Sequence, residues 1–338
     1  MKPQVMLELN AVIVAVTRES PRILTIRKQT RTRRGSAISE ALPSGPLDPE
    51  GDRTLELGLR RWVREHAGLE LGYVEQLYTF GDRNRDPLGR EGGSRAVSIA
   101  YLALVREAKP SGGAGATWRD WYAFFPWEDW RNGRPEVIER LIRPALETWT
   151  ASARPREMLR ERKERSEINF GLGGAPWDSE RVLDRYELLY EAGVVSESGR
   201  DRSTRGRHRS LHRRSLGAAM ALDHRRILAT ALGRMRGKLK YRPVVFELLQ
   251  PSFTLLQLQR VVEALAGVRL HKQNLRRLVE SAGLVERTGL FETETGGRPA
   301  ELFRFRREVL HERPAPGVRL PGMRSRQRHG DQPGPSAP

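Results

Sequence analysis

Two amphipathic stretches near the C-terminal end, each closed by a glycine and followed by a pair of strands, constrain this chain most. Thr254 heads TLLQLQRVVEALAG, where its hydroxyl can accept from a first-turn backbone N–H, and Gly267 ends the run. Leu255, Leu258, Val261, Val262 and Leu265 recur at helical spacing and form its buried face. LHKQNLRRLVESA, over 270–282, repeats the pattern with Leu275, Leu278 and Val279 inside and Gly283 as terminator. From Leu284 to Phe305 the pattern is that of two strands joined at Gly296–Gly297–Arg298–Pro299. Two capped helices, a short turn and a hairpin are the parts of a winged helix-turn-helix.

The second helix turns His271, Lys272, Gln273, Asn274, Arg276 and Arg277 outward. A major groove calls for such side chains: Arg and Lys reach guanine edges or phosphates, and Gln reaches adenine. Gln273 and Arg276, one turn apart, are the expected base readers, with Arg277 on a phosphate. Arg298, at a compact hairpin tip, suits a DNA backbone or minor groove. The same architecture also serves protein contact, its arginines merely solvated. The net charge of +18 and the basic helix 224–240 favour a polyanion, because each phosphate contact releases counterions. Double-stranded DNA is the expected partner.

The chain has no cysteine, which excludes disulfides, thiolate zinc sites and cysteine nucleophiles. No apolar run approaches the roughly 20 residues of a membrane span. Met1–Asn10 lacks a basic region followed by an apolar signal core, so no membrane partner and a cytoplasmic location are expected.

The N-terminal part alternates differently. Strands are expected over 7–16, 21–28, 73–80 and 97–105, with a short strand and turn in ALPSGPLD (41–48) and a basic loop, TRTRR, over 30–34. TLELGLRRWVREH (54–66) has helical period, ends at Gly68, and is followed much later by a helix over 135–149. This order gives one α/β domain over 1–152. A glycine turn and a helix ending in Gly68–Leu69 resemble a Nudix box. That box places three glutamates at i, i+3 and i+4, on one helical face, to hold divalent metal against a diphosphate. With Gly68–Leu69 in register, the box arginine is Arg61, and the three glutamate positions hold Trp62, Glu65 and His66. Gly45 lies two residues too far upstream. One carboxylate of three cannot form a cage for a hard cation, so no metal site, no catalytic residue and no hydrolase activity are expected. A nucleotide binder would still need basic groups near the cleft. Arg27, Arg31 and Arg33 by the second strand, and Arg83 and Arg85 in the loop after Phe80, are the candidates. Trp118, Trp121 and Tyr122 could stack a base, but core packing is the first reading of each.

Between these parts, 153–196 reads as a helical insertion, with a charged helix at 156–165 and a capped helix at 178–192. Residues 197–217 read as a disordered basic linker: 196–215 holds seven arginines, two histidines and little to bury. The winged helix-turn-helix domain then occupies 218–310, and 311–338 reads as a disordered tail.

HRRILATALGRMRGKLKYRPVVFELLQPSFTLLQLQRVVEALAG, followed by LHKQNLRRLVESAGLVERTG and GGRPAELFRF, closely resembles the Nudix-related transcriptional regulators of NAD metabolism, the NrtR-like family. LPSGPLDP and LELGLRRWVREHAGL resemble their Nudix half more weakly, and FGLGGAPWDSERVLDRYELLYEAGVV resembles the longer NadQ-type branch. The resemblance implies an α/β plus α+β architecture: a Nudix-like α/β/α domain, the insertion and the winged helix. It implies a homodimeric repressor of NAD biosynthesis or salvage genes on a palindromic operator. It also implies an effector that is NAD, ADP-ribose or another adenine nucleotide, with no cofactor. An active Nudix hydrolase with an accessory nucleic-acid-binding domain is the alternative, and a nonspecific arginine-driven binder a third.

Overall fold

The computed structural model describes residues 5–17, 19–32, 35–82, 85, 95–108, 115–199, 216–293, 299–312 and 317. Its first layer is a mixed sheet built on β1 (Val5–Thr17), β2 (Ser20–Thr32), β3 (Gly35–Ala41), β5 (Tyr73–Phe80) and β6 (Arg95–Leu104), in the order β3-β2-β1-β6-β5. β4 (Ser44–Pro46) pairs with β1 and β7 (Thr117–Asp120) with β2. β1 runs parallel to β6, and the other pairs named are antiparallel.

Alternation along β1 supplies both cores. Leu9, Ala11, Ile13 and Ala15 face α1 (Leu55–Ala67), meeting Leu59, Val63 and Ala67. Val12 and Val14 face the other way, into a cluster with Trp121, Phe125 and Trp127. A strand buried on both faces needs apolar residues at both parities, and LNAVIVAV has them. α1 begins where Thr54 accepts from Leu57 N–H and ends at Gly68, whose φ of 65° is the left-handed cap a glycine provides.

The aromatic run 118–130 enters this second core as β7 and two short 3-10 turns, Trp121–Ala123 and Pro126–Glu128. Trp121 and Tyr122 are buried, in keeping with core packing; Trp118 is partly buried against the α1-side cluster and donates its indole N–H to Ala108 O at 2.8 Å. A π turn (Ile138–Ile142) leads into α2 (Arg143–Ala151). The insertion then supplies α3 (Arg156–Phe170) and α4 (Val182–Glu191), whose Phe170, Tyr186, Leu188 and Leu189 join the same cluster. α5 (His224–Tyr241) adds Leu228, Leu232 and Met235, and α6 (Leu255–Ala266) adds Leu258, Val262 and Leu265. One apolar core therefore runs from the sheet through the insertion to the winged helix, which comprises β8 (Phe253–Thr254), α6, α7 (Lys272–Ser281), β9 (Val285–Glu292) and β10 (Ala300–Phe305).

Four expectations change. Thr30–Thr32 of the basic loop are paired strand, opposite Gly35–Ala37, because β2 and β3 continue outward as a hairpin. Asp178 does not cap α4; it accepts from Glu180 N–H in a preceding turn, and the helix starts at Val182. The linker is pinned at both ends: Ser196–Gly199 is a 3-10 turn, and Glu197 and Leu216 are buried. Glu197 neutralises the buried Arg225 at 3.3 Å and accepts from Met220 N–H at 3.0 Å, so its burial is compensated. Residues 200–215 lie outside the described residues. The tail assigned from 311 begins inside α8 (Val309–Glu312), where Arg306 pairs with Glu312.

Candidate nucleic-acid interface and effector cleft

α6 starts with a reciprocal capping box: Thr254 Oγ1 accepts from Gln257 N–H at 3.1 Å, and Thr254 N–H donates to Gln257 Oε1 at 2.8 Å. The turn to α7 is organised from inside by Glu263. Its carboxylate accepts from Leu270 N–H at 2.8 Å, Gln259 Nε2 at 2.9 Å and Arg269 Nη1 at 2.8 Å. Burial would raise this carboxyl, but the three donors outweigh it and hold the group below the usual carboxylate range. α7 buries Leu275 and Val279 and exposes Lys272, Gln273, Asn274, Arg276 and Arg277. The sequence-derived face is thus one solvent-facing surface. Arg276 leans on Glu280 at 3.0 Å, a one-turn pair that orients the guanidinium. Arg298 lies outside the described residues; Leu290 and Phe291, on the same hairpin, are exposed.

The C-terminal carbonyls of α6 are capped from outside the winged helix. Tyr122 Oη donates to Ala264 O at 2.8 Å, Arg236 Nε to Leu265 O at 3.3 Å, and Trp130 N–H to Gly267 O at 2.7 Å. These are groups a helix end leaves orphaned. Contact is close enough to require glycine: a Cβ on Gly267 would lie 2.6 Å from Glu128 O and 2.8 Å from Tyr122 Oη. Beneath them, Glu128 accepts a bidentate pair from Arg185 of α4 (2.6 and 2.9 Å) and Arg236 Nη1 of α5 at 2.5 Å. All three side chains are buried. Burial would raise Glu128, but the two guanidiniums keep it ionised. The network ties the sheet domain, insertion and α5 at one point. Sequence reading missed it, since nothing local distinguishes Glu128 from the half-buried Asp129 beside it.

The Nudix-box positions are adjacent in space but carry no carboxylate cluster. Trp62 lies over Gly45, where a Cβ would meet its indole at 1.9 Å, and stacks on His66 with centroids 4.4 Å apart. Glu65 is exposed and paired with Arg61 at 3.1 Å, while Arg61 also holds Asp52 at 3.0 Å. Among the described residues, no group of three His, Cys, Asp or Glu is placed to hold a metal ion. The residues present do not fit the hard cation that a Nudix box implies: an indole and an imidazole stand where carboxylate oxygens are needed.

Of the candidate effector arginines, Arg27 is exposed on β2 and Arg31 lies in its outer part, opposite Ser36. Arg33 and Arg83 lie outside the described residues. Arg85 is not available to a ligand: it is 6% exposed and bound bidentately to Asp223 at 2.8 and 3.0 Å. The reason is burial, since a guanidinium enclosed at the start of α5 requires a carboxylate partner. Around it sits a polar cluster that the sequence did not announce. Lys28 Nζ donates to Glu8 at 2.7 Å and Ser44 at 3.2 Å. Burial would raise the Glu8 carboxyl, but Lys28, then His224 and the two hydrogen bonds, bring it to about 2. His224 is fully buried, accepts from Leu42 N–H at 2.9 Å, and is pushed down to about 4, first by burial and then by Lys28. The start of α5 is thereby locked to the β1–β4 end of the sheet.

Residues 245–305 match the NrtR DNA-binding winged helix domain. The chain is 37% identical over 86 residues to the ADPR-responsive transcriptional repressor NtrR of Acinetobacter baylyi, a match covering 25% of this chain and 34%, about a third, of that relative's length. The Shewanella oneidensis NrtR structure complexed with a 27mer DNA aligns with 90% of this chain and 95% of its own, at TM-score 0.53 and 21% identity. A second Shewanella oneidensis NrtR structure aligns with the same shares at TM-score 0.53 and 20% identity. The chain thus carries, over 245–305, a winged helix of the NrtR DNA-binding type, on the shared fold of a Nudix-like domain joined to a winged helix.

Proposed function

We propose that this chain is a DNA-binding transcriptional repressor whose Nudix-like domain binds an NAD-related nucleotide and so sets operator affinity. The observation that carries this reading is the solvent-facing α7 surface of Lys272, Gln273, Asn274, Arg276 and Arg277, presented by a helix-turn-helix whose end is capped by the sheet domain. Those residues, with Arg298 at the wing, contact the operator. ADP-ribose is the first effector to test, because the Acinetobacter relative is named as responsive to it; NAD and other adenine nucleotides follow. Arg27, Arg31, Arg33 and Arg83 are the basic groups offered to its phosphates. The protein acts as a cytoplasmic homodimer on a palindromic site controlling NAD biosynthesis or salvage genes, as in the NadQ-type branch.

We further infer that the Nudix-like domain binds without hydrolysing. Trp62 on Gly45 and His66 stacked upon it support this, since they fill the positions of two metal-ligating carboxylates. A gel shift on the protein's own upstream region, with ADP-ribose, NAD and ATP added in turn, tests the reading. Expected is a sequence-specific shift that one of the three alters. A shift equally competed by unrelated DNA would instead support the nonspecific binder. Turnover of ADP-ribose with Mg²⁺, abolished by EDTA, would restore the hydrolase.

A further inference from the structure

The tight turn between β1 and β2 contains a residue in an unexpected conformation. Glu19 has φ of +63°, a region glycine enters freely and other residues avoid. Such outliers persist where surrounding structure holds them, and they cluster at sites of function. The surroundings here are specific. Arg131 Nη1 donates to the Glu19 backbone carbonyl at 2.5 Å, and Arg131 is itself fixed by Asp129 at 2.8 Å. The strained turn thus aims the Glu19 carboxylate at the winged helix, where it meets Arg260 of α6 at 3.1 Å and Arg269 of the α6–α7 turn at 3.3 Å.

Arg269 is the outer end of the Glu263 arrangement that fixes the turn, two residues after Gly267 and three before α7 begins at Lys272. Farther along β1 and β2, Lys28 Nζ reaches Glu8 at 2.7 Å, beside Arg27, one of the basic groups offered above to the effector. β2 is paired along its length, with β1 over Ser20–Ile23, β7 over Arg22–Thr25 and β3 over Ile26–Thr32, so a displacement at Arg27 or Lys28 is delivered along it to Glu19.

We propose that Glu19 is a positioning residue: the β1–β2 turn uses it to hold the helix-turn-helix turn, and through it the state of the cleft sets the attitude of α7. The coupling half rests on the proposed function, and the positioning half stands on geometry alone. An allosteric link needs an element that both sites bias, and β2 joins Arg27, proposed for the effector, to the turn at Glu19.

The test uses the full chain and two variants. Glu19→Gln removes the charge and keeps the shape. Glu19→Gly removes the carboxylate and relieves the backbone, so a folding defect cannot explain its effect. In both, amide exchange at Leu270 is expected to rise about three- to tenfold, the scale set by two partly exposed ion pairs, with Gln257 exchange unchanged. ADP-ribose affinity by calorimetry should stay at the wild-type value. The ratio of operator Kd with and without ADP-ribose should fall towards one. Unchanged exchange at Leu270 in both variants overturns the positioning role. Faster exchange with the ADP-ribose ratio intact overturns the coupling. If wild-type operator affinity ignores ADP-ribose, the effector reading has failed and so has this coupling, while the exchange measurement still decides the positioning role.

Discussion

The two faces of the sheet have taken different courses. On one, α1 closes a small apolar cluster and presents Glu65 to solvent beside Trp62 and His66. On the other, the apolar cluster never closes: it continues through the aromatic run and the insertion to α5 and α6, with Glu128 enclosed at its centre. The α1 face carries Trp62, Glu65 and His66 side by side without a carboxylate cluster, whereas the opposite face connects the sheet to the winged helix. A carboxylate's position in a recognisable motif says less about its importance than the charges enclosed with it. Glu65 is screened and replaceable; Glu128 is the only acidic side chain, among the described residues, shared by Arg185 and Arg236.

The largest test of that contrast is Glu128→Gln against Glu65→Gln. Removing the buried carboxylate strands two guanidiniums and should cost about 3–5 kcal/mol of unfolding free energy. The exposed one should change stability by no more than about 0.5 kcal/mol. Urea unfolding of the two variants measures both, and equal losses would erase the distinction between the faces.

Next is the pH dependence at the start of α5. His224 titrates near 4 in the folded chain and near 6.5 when unfolded. As pH falls through this window the unfolded state takes up the proton first. The stabilisation is complete above about 6.5 and is lost towards 4, by up to about 3 kcal/mol. His224→Gln should flatten this part of the stability profile; a profile unchanged by the substitution would remove His224 from the lock.

Smaller is the effect of Arg276→Ala, which touches no part of either core. Discrimination between operator and scrambled duplex should fall by about 1–3 kcal/mol, with little loss on the scrambled one. Equal losses on both would make Arg276 a phosphate contact.

The smallest effect expected is none. Trypsin should cut first among the arginines of 200–215, yet the nicked chain should elute as one species. Contacts across the cut bind the parts: Arg85 to Asp223, Arg225 to Glu197 and the Phe124 carbonyl, and Ala218 N–H to Ala123 O at 2.8 Å. Two separated fragments would break the picture of a single core.

What was legible in the sequence follows from this division. The winged helix was readable because its signals are local: Thr254 as N-cap, the glycines 267 and 283, and two helical periods all act within a few residues. Trp62, Glu65 and His66 could be placed together from the sequence because the three side chains share one helix. Arg85 was misjudged because its partner, Asp223, is 138 residues away. Glu128, His224 and Glu19 were invisible for the same reason: each takes its meaning from a residue on another element. The ends of the basic linker were misread, because composition does not reveal that Arg225 draws Glu197 and Leu216 into the core.

The capping of α6 bears on how portable this reader of DNA is. The segment 245–305, which sequence comparison marks out as a unit, excludes Tyr122, Trp130 and Arg236, the donors that close its first helix. Excised, it would leave those carbonyls to water and the glycine at 267 without the wall it was fitted to. Grafted onto a foreign sensor, it would need three donors at matching heights before the turn to α7 kept its shape. The borders of inheritance and the borders of hydrogen bonding do not coincide here, and a chimera cut along the first would have to be repaired along the second.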